Sequence, residues 1–261
     1  MDTNKVWKVA LAVAFVGAQL AYAVPQKTVQ YTFDGTATNS GVGAGLDLTL
    51  VLVSGSPVYS TGVNGIGQAL NFSALNGAHS AAGITSGNAA ALDGASALTI
   101  TGWLKADSAD TYNGLERLVA TADGFSSGGV VLGFNGPAAG ANASKLQFAV
   151  GSPGTGFYSS PSYTNYNSWV FFALTWINQV AQPSGNVNFY VGTESASVSL
   201  VNTTTCPDAL SVLPTQGKLA VGNRPGLARG FDGALDDVRI YTSTSGEVLT
   251  LAQLELIRAV P

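Results

Sequence analysis

The chain has 261 residues, 32 of them glycine, with a net charge of −4, one cysteine, one histidine and only 10% charged side chains. That length can bury a large core without covalent help. The composition excludes a basic nucleic-acid surface, an internal disulfide and a His-rich metal site.

The first 23 residues read separately. Lys5 and Lys8 precede an apolar run, Val9 to Leu20, and Ala21-Tyr22-Ala23 follows as a small-x-small site. The run is short for a membrane span, so it reads as a secretory signal peptide cleaved after Ala23. A secreted product is expected, extracellular or at the cell surface (periplasm or outer surface in a bacterium). No later segment is apolar enough to predict a membrane span.

From residue 24 onward, short alternations recur between glycine-rich punctuation. Val29, Tyr31 and Phe33 alternate in TVQYTF, and Leu98 and Ile100 in ALTITGWLK. GVVLGF, KLQFAV, NVNFYV and GKLAVG repeat the pattern. WVFFALTW, 169–176, is apolar on both faces and reads as a central covered strand, with Trp169 and Trp176 on opposite sides. The longest loop-like stretches are 35–47 and 151–168. The one helix signal is late: Thr250 caps LAQLELIR, and Gln253 completes a capping box. About a dozen strands with no interleaved helices predict an all-β fold, an antiparallel β-sandwich or jelly roll with one short C-terminal helix, in a single domain over 24–261.

Two kinds of residue bear on chemistry. The first is carboxylate. FDGALDDVRIY, 231–241, holds Asp236 and Asp237 in a strand-like run. Strict alternation puts Ala234, Asp236, Val238 and Ile240 on one face and Leu235, Asp237, Arg239 and Tyr241 on the other. The two carboxylates then face apart and cannot form a glycosidase pair. Glu116, Glu194, Glu247 and Glu255 are the only glutamates, and none has a carboxylate two positions away. His79 stands alone, no phosphate loop or dinucleotide fingerprint occurs, and Cys206 reads as a packed thiol. No catalytic residue is assigned, and an enzyme is disfavoured.

The second kind is aromatic and amide. GSPGTGFYSSPSYTNYNSW, 151–169, gathers Phe157, Tyr158, Tyr163, Asn165, Tyr166 and Asn167. Rings and amides on loops suit glycan recognition, by stacking and hydrogen bonding. The competing reading is that the rings cap the sandwich edge. Trp103 shares a face with Thr99 and Thr101, where it either lines a ligand face or packs under a loop. Arg224, on a loop with Asn223 and Arg229, either meets an acidic sugar or pairs with a surface aspartate. Asn71, Asn142 and Asn202 open glycosylation sequons, which matter only in a glycosylating host.

The ordered pieces YTFDG (31–35), GQALNF (67–72), LTITGWLK (98–105), WVFFALTW, NVNFYVG, FDGALDDVRIY and LTLAQLEL resemble the laminin G-like branch of the concanavalin A-like lectin/glucanase superfamily, in its bacterial secreted form. The resemblance spans Val29 to Arg258. It implies a sandwich whose first and last strands are neighbours, which brings Asp34 near Asp236. Asp236 then has three readings: an acceptor of loop N–H groups, a structural calcium ligand together with Asp34, or a catalytic group. The superfamily holds lectins, adhesion modules and sugar-cleaving enzymes. The expectation is a secreted non-catalytic module that binds glycan or another extracellular ligand. Alternatives are a structural or adhesive role without sugar, and a glycoside hydrolase or polysaccharide lyase. A lectin predicts exposed rings at Tyr158, Tyr163 or Tyr166. An adhesin predicts an apolar patch or an oligomer, with Cys206 a candidate link, and an enzyme predicts two carboxylates about 5 to 9 Å apart.

Overall fold

The structure is a computed structural model and describes residues 24–51, 58–73, 82–110, 114–151, 156–159, 162–178, 186–206 and 212–261. The leader at 1–23 and His79 lie outside the described residues. The strands are β1 (Gln26–Tyr31), β2 (Leu48–Val51), β3 (Tyr59–Thr61), β4 (Gln68–Asn71), β5 (Ala82–Thr85), β6 (Ala97–Ala106), β7 (Leu115–Ala120) and β8 (Val130–Asn135). They continue as β9 (Lys145–Val150), β10 (Phe157–Tyr158), β11 (Val170–Ile177), β12 (Val187–Thr193), β13 (Ser199–Thr204), β14 (Ala220–Val221) and β15 (Gly233–Ser243). The helix α1 (Leu251–Ala259) follows.

Two antiparallel sheets form a sandwich. The front sheet runs β13-β12-β11-β6-β15-β4-β3, with β1 also on β15, and the back sheet runs β10-β9-β8-β7-β14-β5-β2. The sandwich, its short final helix and the contact of first and last strands match the expectation. β15 is long because it serves two neighbours. Its first half pairs with β4 through Ala234 and Leu235. Its second half pairs with β1, where Val238 faces Tyr31.

Period-two alternation sorts the front sheet's side chains. Leu98, Ile100, Leu104, Phe172, Leu174 and Trp176 join the core between the sheets. Gly102 continues that inward row on β6. A Cβ there would meet the Phe172 ring at 2.8 Å, so the missing side chain is what seats the ring. The outward row of β11 is apolar too. Phe171, Ala173, Trp103 and Trp169 form a second cluster with Val63, Tyr241, Leu249 and Leu254. The cover comes from α1 and a 3-10 turn at Val63–Gly65.

The helix starts as its sequence predicts. Gln253 N donates to Thr250 Oγ1 (3.3 Å), and Thr250 N donates back to Gln253 Oε1 (2.8 Å). Glu255 then ties α1 to the turn before β13 by accepting from Val198 N (2.8 Å), and it pairs within the helix with Arg258 Nη2 (2.6 Å).

This cover corrects the reading of Trp103 as a ligand platform. The indole is fully buried and packs edge-on against Phe171, with centroids 5.4 Å apart. Cys206 is buried, as its sequence suggested, and its backbone N donates to Asn186 Oδ1 (2.8 Å). A thiol so placed is not offered for pairing between chains. Among the described residues, no helix is long and apolar enough to cross a membrane.

Candidate functional site

The loop ending at Trp169 delivers the chain into β11. Three of its singled-out residues anchor it, two by turning inward and one at the surface. The Tyr163 hydroxyl donates to Tyr190 O (2.7 Å) and its ring is buried. The Tyr166 hydroxyl shares a hydrogen bond with Ser144 Oγ (2.6 Å), and its ring meets Phe134 edge-on. Asn167 donates from its backbone to Ala106 O (2.8 Å) and from its side chain to Ser108 Oγ (2.6 Å). It holds φ 59°, a left-handed conformation that asparagine tolerates better than most residues.

Tyr163 is therefore corrected from a ligand ring to a buried bolt, because its hydroxyl finds a carbonyl across the sheet edge. The side chain of Tyr158 lies outside the described residues. Asn165 and Ser168 are exposed.

Opposite this loop, β12 ends in a tight turn. Thr193 Oγ1 accepts from Ala196 N (2.9 Å) and Ser195 N (3.3 Å). Between loop and turn lies a hollow of about 490 Å³, lined by Thr164, Asn165, Tyr166, Ser168, Trp169, Thr193, Glu194 and Ser195. That volume falls within the range of small-molecule sites. Hydroxyls, one amide and one carboxylate line it beside the edges of two rings, a donor and acceptor set suited to a polyol. Glu194 is held by its Oε1, which accepts from Asn64 N (2.9 Å). The sequence reading pointed to the loop, but it missed the 193–196 turn. Thr193-Glu194-Ser195 carries turn residues and no ring, so nothing in it signalled a site.

The Asp236 neighbourhood is a different kind of place. Asp236 Oδ2 accepts from Val63 N (3.0 Å), and Asp34 Oδ1 accepts from Gln68 N (2.7 Å). The two carboxylates thus hold both ends of the turn that covers the outer cluster. The expected alternation fails here. A bulge between Asp236 and Arg239 adds a residue to β15, with Asp237 at φ 44°. Asp236 stands opposite Trp103 and Arg239 opposite Thr101, while Val238 enters the core. Asp236 and Asp237 therefore lie on the same side and line one small cavity of about 40 Å³ with Asp34.

Asp237 is neutralised. Arg239 Nη2 lies 2.7 Å from its Oδ2, Arg239 Nε donates to its Oδ1 (2.8 Å), and Gln30 Nε2 adds another bond (2.9 Å). Burial still holds the Asp237 carboxyl above its ordinary range. Asp236 is pushed up to about 7, chiefly by burial, with the Val63 N–H pulling the other way.

Calcium between Asp34 and Asp236 is testable against these contacts. Each carboxylate already gives one oxygen to a backbone N–H. Among the described residues, no group of three or more His, Cys, Asp or Glu could hold a metal ion.

Two further sites complete the survey. Arg224 pairs as the second reading had it: Nη1 donates to Asp123 O (3.1 Å), and Nε is 4.0 Å from Asp123 Oδ1. It lines none of the hollows above. Glu116, on β7, was missed as a strand residue. It is buried, accepts from Asp232 N (3.1 Å), and is pushed up to about 9 by burial and then by Asp110 and Asp232. It holds its proton at neutral pH, away from both hollow and turn.

With fold and site described, the class follows. A profile of the concanavalin A-like lectin/glucanases superfamily, laminin G type, matches residues 76–247. The chain belongs to that family. A search of curated proteins found no match in sequence.

Among solved structures, domain 4 of AbnA, an extracellular GH43 arabinanase from Geobacillus stearothermophilus solved with arabinotriose, is 16% identical with a TM-score of 0.62. The match covers 90% of this chain and all of that one. The receptor-binding domain of a botulinum neurotoxin mosaic serotype C/D is 13% identical with a TM-score of 0.54, covering 89% of this chain and 50% of that one. A chain of botulinum neurotoxin type C, whose cell entry depends on interaction with two ganglioside molecules, is 13% identical with a TM-score of 0.52, covering 89% of this chain and 50% of that one. This chain spans half the length of those toxin chains. At such identities the likeness establishes the fold.

Proposed function

We propose that the chain is a non-catalytic carbohydrate-binding module whose ligand lies between the 162–169 loop and the 193–196 turn. One observation carries the reading: the hollow of about 490 Å³ gathers Asn165, Ser168, Glu194 and Ser195 beside Trp169, on a loop held by the buried Tyr163, the half-buried Tyr166 and the backbone of Asn167. Rigid backing with a polar rim lets a site recognise hydroxyls at low ordering cost. The sugar-bound arabinanase domain and the ganglioside-dependent toxin support a glycan ligand. Secretion through the residue 1–23 leader fits an extracellular glycan.

A glycan array probed with the protein from residue 24 onward, with calcium and then with chelator, tests the proposal. Binding that Asn165→Ala and Glu194→Gln each weaken supports it. A silent array in both conditions sinks it. The second reading, adhesion without sugar, draws on exposed Leu251, Leu256 and Val260 at the C-terminal end. It predicts capture of a protein partner and no glycan binding.

A further inference from the structure

A second, smaller hollow of about 180 Å³ lies across the same loop, lined by Ser60, Asn71, Ser73, Lys105, Asp107, Asn167, Gly233 and Ala234. Consecutive residues divide the two: Asn167 lines the smaller hollow and Ser168 the larger. Lys105 joins them. It is the one exposed residue of ten-residue β6, and its ammonium lies 6.0 Å from the centroid of Trp169, which borders the larger hollow. Among the described residues, no carboxylate lies within ion-pairing distance of Lys105. The ring holds the ammonium in place without using its three N–H donors.

The charges limit what fits. The smaller hollow sets one cation against one carboxylate, Asp107, and the larger hollow carries Glu194. An anionic sugar drawn to Lys105 would meet Asp107 in the same hollow and Glu194 beyond it, on a chain of net charge −4. A neutral sugar meets no such repulsion. Its hydroxyls can accept from Lys105 and donate to Asp107 at once.

We infer that the two hollows are adjoining subsites for one neutral oligosaccharide of at least two sugar units, with Lys105 the residue that selects length and the carboxylates of Asp107 and Glu194 the groups that reject acidic chains. This rests on the carbohydrate-binding reading above and narrows its ligand class.

The test is calorimetric titration of the protein with one-to-four-unit ladders of each neutral sugar series on the array, and with oligogalacturonates of matching length. Affinity should rise about tenfold or more from one unit to three, and the acidic ladder should bind more weakly at every length. Lys105→Gln, at an exposed position, should cost about tenfold for the three-unit neutral probe and less than twofold for the single sugar. Glu194→Gln should weaken both. Affinity that stops rising at one unit, a Lys105→Gln effect equal at all lengths, or a preference for oligogalacturonates overturns the inference while leaving the binding module standing. No binding by any ladder, with a silent array, overturns both.

Discussion

Two places in this molecule concentrate carboxylate and turn residues, and they serve opposite ends. At the β15 bulge, Asp236 accepts from the buried Val63 N–H and Asp34 from the exposed Gln68 N–H, and Asp237 is held by Arg239 and Gln30. At the 162–169 loop, the Tyr163 and Tyr166 hydroxyls point inward while Asn165 and Ser168 face solvent. The first place spends its hydrogen-bonding capacity on the fold. The second keeps some for a ligand. The turn at Val63–Gly65 joins them, since Val63 N donates to Asp236 and Asn64 N to Glu194.

The sharpest break in that comparison is Arg239→Ala. It leaves the buried Asp237 carboxylate without its cation, a loss of roughly 3 to 5 kcal/mol for a buried pair. Denaturant unfolding should show it as a midpoint shift, and any folded fraction should still bind sugar. Asp236→Ala removes the acceptor of Val63 N–H. Its cost should be about 1 to 3 kcal/mol, a Tm lower by several degrees, with sugar affinity nearly unchanged.

The pH response sharpens the contrast. Both Asp236 (about 7) and Glu116 (about 9) sit above their ordinary carboxylate values. The fold then binds more protons than the unfolded chain. These groups stabilise fully below about pH 4, the unfolded value, and that contribution is lost as pH rises through 7 for Asp236 and 9 for Glu116. Asp236→Asn should flatten thermal stability between about pH 4 and 7, and Glu116→Gln should flatten it up to pH 9.

Asn165→Ala, by contrast, should leave Tm within about a degree yet weaken sugar binding by about tenfold. The smallest effect concerns calcium. If backbone N–H groups suffice for Asp34 and Asp236, chelator should move Tm by less than about a degree. A drop of several degrees, absent in Asp34→Asn, would assign a calcium ion there.

Much of the architecture was legible because the front sheet's strands are written in alternating apolar residues. WVFFALTW announced its two covered faces outright, and Thr250 with Gln253 announced the helix start. The bulge was not legible. Alternation presumes one residue per pleat, and nothing in ALDDVRI marks the extra one. β7 was missed because Glu116 and Arg117 look solvent-exposed, and Glu116 is tolerated inside only as a neutral acid. The loop is legible, and of the two readings given to each ring the structure takes edge-capping for Tyr163 and packing under cover for Trp103. Sequence shows that Tyr163 and Trp103 are aromatic, not that Tyr190 O or α1 and the 63–65 turn wait to bury them.

The most direct test of the division between bolt and site is an amide NMR titration with the neutral oligosaccharide that binds best. The account predicts shifts concentrated at residues 164–169, 193–195 and Lys105, with Asp34, Asp236 and Asp237 still. Shifts centred on Asp34 and Asp236, with the 164–169 loop unmoved, would contradict it.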